Sequence, residues 1–247
     1  MQLVHDDPSI PRVDLMAASA EGYRLLAAEV DRRPPMLPSS VRKRALLRRL
    51  RMLARQLEGE PQVIEAAVFD AKFFVPGQGA PFSRTPEDAR GPSQRRFDVV
   101  VLVRTTAPDH AAELDAGAAW TELSALVRSV SRHTIDVVAR NVRRIGDVPH
   151  TGGGVFLFNF FDNTPEVLPV WEHSARWFVA KTKLDNSTVL QPVDDTADEY
   201  AVINHARWPS WHAFLPHLLL RPSFRRYVGD NSMANGVTAQ PILYRQR

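Results

Sequence analysis

The sequence predicts an α+β chain of two ferredoxin-like βαββαβ halves, the N-terminal one degenerate, packed in a dimeric α/β-barrel-type arrangement. Three observations predict it. From Val155 to Tyr244 the apolar pattern switches between extended and helical periods in the order strand, helix, strand, strand, helix, strand. Part of that order recurs upstream: Phe97 and Arg104 bracket one strand as Tyr200 and Arg207 bracket another, and Trp120 follows Phe97 much as Phe224 follows Tyr200. Finally, a four-stranded sheet with helices on one face leaves its other face bare. Two such faces packed together form a barrel-like core, within one chain as a monomeric pseudo-dimer or between two copies as a homodimer.

Each element has its own signal. Residues 1–39 form a Pro-rich segment with a short helix expected from Ala20 to Val30, ended by Pro34, Pro35 and Pro38. Ser39 or Ser40 can cap the next helix, Val41–Leu57, where Leu46, Leu50, Leu53 and Leu57 recur at helical spacing opposite a basic face. Gln62–Val75 reads as a strand, Pro76–Gln94 as a mobile loop, Phe97–Arg104 as a strand, Ala116–Val130 as a helix and Thr134–Val142 as a strand. This makes residues 40–145 the degenerate half. It lacks a clear first strand unless Val13–Ala17 serves. Residues 146–154, with Gly152-Gly153-Gly154, read as a flexible linker, since no helix follows to complete a phosphate cradle.

In residues 155–247 the order is plainer. Val155–Phe161 is a strand and Glu166–Lys183 a helix. Asn186–Val193 and Tyr200–Arg207 are strands, Trp211–Val228 is a helix or helix pair broken near Pro222, and Val237–Tyr244 closes the set.

Composition narrows the function. The 247 residues include no cysteine, which removes disulfides, thiolate catalysis and Cys-type zinc sites. No apolar run approaches the roughly 20 residues of a membrane span, and the first residues do not read as a signal peptide, so a cytoplasmic protein with no membrane partner is expected. The net charge is +3, but Arg42, Lys43, Arg44, Arg48, Arg49, Arg51 and Arg55 fall in one segment without an acid. That segment has no interleaved aromatics and no nucleic-acid motif accompanies it, so a solvated face is expected rather than a nucleic-acid site.

The strand FLFNFF, the helix WEHSARWF, the strand YAVINHARW and the helix WHAFLPH resemble the antibiotic biosynthesis monooxygenase group of the dimeric α/β-barrel superfamily, over the C-terminal half alone. The resemblance implies an aromatic-lined cavity between sheet and helices. Some relatives oxidise aromatic substrates without metal or flavin, and others bind and degrade haem. In the haem-degrading relatives an Asn in the first strand, a Trp on the last helix and a later His recur. Asn159 matches the first, whereas His217 and Arg226 stand at the other two positions.

The candidate residues follow from these elements. Asn159 sits among four phenylalanines and a leucine, where an amide costs roughly 1–3 kcal/mol unless it is hydrogen-bonded. It either orients a ligand or bonds nearby backbone. Alternation puts Asn204 on one face of its strand and His205 and Arg207 on the other. His205 is a candidate base, or simply a packed histidine. Trp171, Trp177, Trp208 and Trp211 are read chiefly as core, with Trp171 able to line a cavity as well. His212 and His217 are five apart, the wrong spacing for two metal ligands on one helical face, and no metal site is expected.

The expected function is a small-molecule enzyme, a cofactor-independent oxygenase acting on an apolar or aromatic substrate. Asn159, His205 and His217 are its candidate catalytic residues, and Trp171, Asn204, Arg207 and Trp208 its candidate binding residues. The alternatives are a non-catalytic ligand- or protein-binding module, and haem binding or degradation.

Overall fold

The computed structural model describes residues 1–35, 37–75, 95–162, 164–193, 200–220 and 222–247, leaving aside the side chains of Leu219 and Leu220. The loop expected at Pro76–Gln94 lies outside these residues. The first half runs β1 (Gly22–Glu29), α1 (Val41–Leu57), β2 (Val63–Phe74), β3 (Val99–Thr105), α2 (Pro108–Glu113), α3 (Ala118–Val130) and β4 (His133–Gly146). The second runs β5 (Val155–Phe161), α4 (Val167–Thr182), β6 (Ser187–Pro192), β7 (Val202–Trp208), α5 (Trp211–Leu220), three short helical turns over 222–234, and β8 (Ala239–Gln246).

The eight strands close into one barrel in the order β1-β3-β2-β8-β5-β7-β6-β4. Each half contributes four adjacent strands in equivalent order. The two seams, β2 on β8 and β4 on β6, are antiparallel pairs within the chain. Among the described strands no sheet edge is left open, which removes the aggregation hazard of an unpaired strand.

The strand β1 corrects the helix expected over Ala20–Val30 and supplies the first strand for which the N-terminal half shows no clear sequence signal. Its sequence GYRLLAAE is rich in helix formers and shows no alternation. The reason is burial on both faces. Tyr23, Leu25 and Ala27 point into the barrel, while Leu26 and Ala28 pack under the helices. A strand buried twice reads as a continuous apolar run, and only pairing to β3 and β4 identifies it. Gly22 opens it because a Cβ there would lie 2.2 Å from the Ala107 carbonyl oxygen. The segment Val13–Ala17 contributes an isolated bridge from Met16 to Arg144.

The helix α1 is capped by the Ser40 side chain, which accepts from the Lys43 N–H, and buries its leucine stripe on the sheet. Its basic face is not wholly solvated. Lys43 is buried, with its ammonium 2.7 Å from Asp70 and 2.9 Å from Asp98. Asp70 also takes Lys72 at 2.6 Å and the Arg247 guanidinium. Burial would raise the Asp70 carboxyl, but Lys43 and its companions outweigh it and hold it below the ordinary range. For Asp98 burial prevails and the shift is upward. Removing one member of such a buried group typically costs about 3–5 kcal/mol.

The barrel interior is filled rather than hollow. Phe69, Phe156, Phe158 and Tyr244 interlock edge-to-face, with Phe69 to Phe158 centroids 5.0 Å apart and Phe158 to Tyr244 centroids 5.3 Å apart. Tyr244 donates its hydroxyl to the Phe97 carbonyl at 2.6 Å, which satisfies the polar atom this core would otherwise strand.

Candidate active site between the second sheet and its helices

Strands β5 and β7 pair so that Phe158 faces His205 and Asn159 faces Asn204. Strand alternation then sorts the side chains. Phe156, Phe158, Phe160 and His205 point into the barrel, and Leu157, Asn159, Phe161 and Asn204 point toward α4 and α5. Between this outer face and the helices lies a cavity of about 80 Å³. Asn159, Asn204 and Trp208 form its sheet wall, Trp171 and Phe178 its α4 wall, and Phe214, Leu218 and Phe224 its outer wall.

The two amides differ. The Asn204 side-chain oxygen accepts the Ser187 hydroxyl at 2.6 Å, and both residues are buried. The Asn159 Oδ1 is buried and accepts no hydrogen bond among the described residues. An unpaired buried acceptor costs about 1–3 kcal/mol and is rare in folded chains. Around it the wall is apolar. Trp208 donates its indole N–H to Thr182 at 3.0 Å and packs on Phe214 with centroids 4.2 Å apart, so this face of the cavity is fixed. Trp177 belongs to the core, fully buried with its indole 3.3 Å from the Ser223 hydroxyl.

The structure thus brings Asn159, Trp171, Asn204 and Trp208 together and separates His205, Arg207 and His217 from them. His205 is buried inside the barrel, stacked on Phe158 at 4.1 Å. Arg207, on the same side of β7, donates to the Gly153 carbonyl at 2.7 Å. His217 is half-buried on α5, next to the cavity wall but not part of it. Among the described lining residues there is no Asp, Glu, His, Lys or Arg.

The segment read as a flexible linker is instead tucked into the end of the barrel. Val148 joins the interior cluster, and the His150 side chain is buried. Gly154 sits at φ 125°, and a Cβ there would also meet the Trp208 carbonyl oxygen at 2.6 Å, so the position needs glycine on both counts. His150 Nε2 lies 2.8 Å from His205 Nε2, and His205 Nδ1 lies 3.0 Å from the Leu157 carbonyl. A carbonyl can only accept, so Nδ1 of His205 carries a proton. Burial and then the neighbouring His150 push His205 well below its ordinary value, so its Nε2 is the lone-pair side and accepts from His150. Glu65 Oε2 lies 2.8 Å from His150 Nδ1. Burial would raise Glu65, but His150 and Arg104 reverse this and hold it low.

Glu65 and His150 were not singled out by sequence reasoning, and neither was Ser187. Val148-Pro149-His150, an apolar patch ahead of three glycines, was the one local hint of an inserted segment.

Haem does not suit this cavity. The space is small for a porphyrin, His217 is not in its lining and Arg226 is exposed. Among the described residues no cluster of three His, Asp or Glu side chains is placed to hold a metal ion. None of the helices described is long and apolar enough to cross a membrane.

The fold and cavity define an α+β protein of the ferredoxin-like α/β-barrel kind, with its barrel closed inside one chain. Solved structures agree. An anthrone oxidase-like protein superimposes with a TM-score of 0.66 at 9% identity, over 95% of this chain and 94% of that one. A protein described as a candidate monooxygenase from Fusobacterium nucleatum gives 0.54 at 8% identity, over 92% and 93%. A second one, from Lactobacillus acidophilus, gives 0.50 at 6% identity, over 92% and 94%. At these identities the likeness is one of fold. No family model and no curated protein sequence matches the chain.

Proposed function

We propose that the protein is an oxygenase-type enzyme whose substrate is a small aromatic phenol or quinol, held in the cavity against Asn159. The observation that carries this reading is the unpaired Asn159 oxygen in an apolar, Trp-lined wall. A buried acceptor without a donor calls for a ligand hydroxyl, and the aromatic walls call for a flat apolar body. An amide is not a base, and the described lining holds none. The substrate must therefore be acidic enough to lose its own proton to water, which phenols and quinols are and plain hydrocarbons are not. Held dry and in place, such an anion can react with dioxygen at a ring carbon, one oxygen atom becoming a quinone carbonyl and the other leaving as water, with the substrate supplying all four electrons. The Asn159 oxygen would accept from a hydroxyl that the substrate keeps, and Trp171 and Trp208 would exclude water. The anthrone oxidase-like and monooxygenase descriptions of the structural neighbours fit the same reading.

The cavity is about half the ~150 Å³ of an apolar cavity that takes up benzene, so a ring can enter only as the outer wall moves. That wall is built of short pieces: α5 carries Pro216 within it, and the turns over 222–234 follow. The test is oxygen uptake with a panel of quinols and anthrones. Asn159→Ala should lower kcat/KM by about tenfold or more, as for loss of one buried hydrogen-bond acceptor for the substrate hydroxyl. Unchanged turnover in Asn159→Ala would place the chemistry elsewhere. Saturable binding of phenols with no oxygen uptake would favour the second reading, a ligand-binding module, which the absence of a base among the described lining residues supports. A haem titration followed in the Soret region separates the haem alternative from both.

A further inference from the structure

A second concavity lies on the opposite half of the molecule, between α1 and the β2/β8 seam. It has a volume of about 360 Å³ and is lined by Arg44, Arg48, Arg51, Lys72 and Arg247, with Ser39, Pro38 and Leu47 completing the wall. The spacing of Arg44, Arg48 and Arg51 puts them on one face of α1, spanning about 10 Å of helix. All three are exposed, and their guanidinium groups form no ion pair or hydrogen bond among the described residues. Lys72 and Arg247 converge on a single carboxylate, Asp70, which Lys43 already engages from beneath.

We infer that this groove is a binding site for a compact, multiply charged oxyanion of the diphosphate kind. Like charges one helical turn apart repel one another, and α1 from Val41 to Leu57 holds no acid to offset them. The groove therefore concentrates positive potential that its protein partners leave unbalanced. Four of the five cations are arginines, whose planar donor forks match phosphate oxygens in pairs. The described lining residues include no aromatic side chain on which a base could stack, so the anionic group itself is the recognised part. The concave shape suits a small anion rather than a duplex. This inference does not depend on the oxygenase reading, because the groove and the Asn159 cavity share no lining residue.

Calorimetric titration of the full chain with inorganic pyrophosphate, with sulfate and a short single-stranded oligonucleotide in parallel, tests it. One saturable site for pyrophosphate is expected, with sulfate weaker. The variant Arg44→Gln/Arg48→Gln should weaken binding by about tenfold or more, since two charge-assisted contacts are lost. The control Arg42→Gln/Arg55→Gln removes two exposed arginines outside the groove and should stay within about twofold. All four side chains are exposed, and matching melting temperatures verify that both variants fold. No saturable pyrophosphate binding, equal weakening in both variants, or an oligonucleotide that binds tightly and is not displaced by pyrophosphate would each overturn the site.

Discussion

The two halves of the barrel solve the same packing problem differently. In the N-terminal half, regular amphipathic helices α1 and α3 press leucines, valines and the fully buried Trp120 onto the sheet. In the C-terminal half, α4 is paired with a layer broken at Pro216 and again over 222–234, and the cavity opens there. The register makes the contrast residue by residue. Aligning Phe97 with Tyr200 sets Val101 against Asn204, and their cross-strand partners are Leu26 and Asn159. The same alignment sets Leu102 against His205. One half spends these positions on a dry core, and the other places polar atoms there at a cost in stability. Candidate function falls where the packing is incomplete.

Truncating the aromatic in each helix layer should break the comparison most visibly. Trp120→Ala should cost about 3–5 kcal/mol in urea unfolding, the usual range for a large buried aromatic. Trp171→Ala should cost distinctly less, because one side of Trp171 already faces empty space. Equal losses would mean that the two layers are packed alike. Next, Asn159→Leu installs the residue its counterpart Leu26 carries. It removes an unpaired acceptor, so the urea midpoint should rise by the equivalent of about 1–3 kcal/mol while any quinol oxidation disappears. A lower midpoint would show that Asn159 is satisfied in solution.

The smallest effect concerns pH. The folded chain holds His205 neutral below its ordinary value of 6.5, so the unfolded chain binds a proton the folded one refuses. Stability is then complete above about pH 6.5 and falls as pH drops below it, by at most about 1.4 kcal/mol per pH unit. His205→Leu, which copies Leu102, should flatten that slope in part. His173, lowered by burial in the same direction, should maintain the remainder. A slope unchanged in His205→Leu would show that this histidine titrates normally.

Much of the second half was legible. Its element order follows from strands with clear ends, and alternation sets Asn204 on the opposite face from His205 and Arg207 without saying which face is inward. Sequence reasoning nevertheless grouped His205, Arg207 and His217 with the cavity, because proximity along a chain does not say which side of a sheet a side chain serves. The first half was harder. In β1 burial on both faces erased the alternation, and helix formers such as Leu25, Ala27 and Glu29 suggested the wrong element.

The sequence alone determined the α+β class, the strand and helix order of the second half and the polar exception at Asn159, since these depend on neighbours a few residues away. Tertiary structure decided that the halves close one barrel within the chain, that Lys43 is buried between Asp70 and Asp98, and that His150 reaches His205 and Glu65. Those contacts join residues tens of positions apart, and their energy depends on burial and register that arise only when the strands pair.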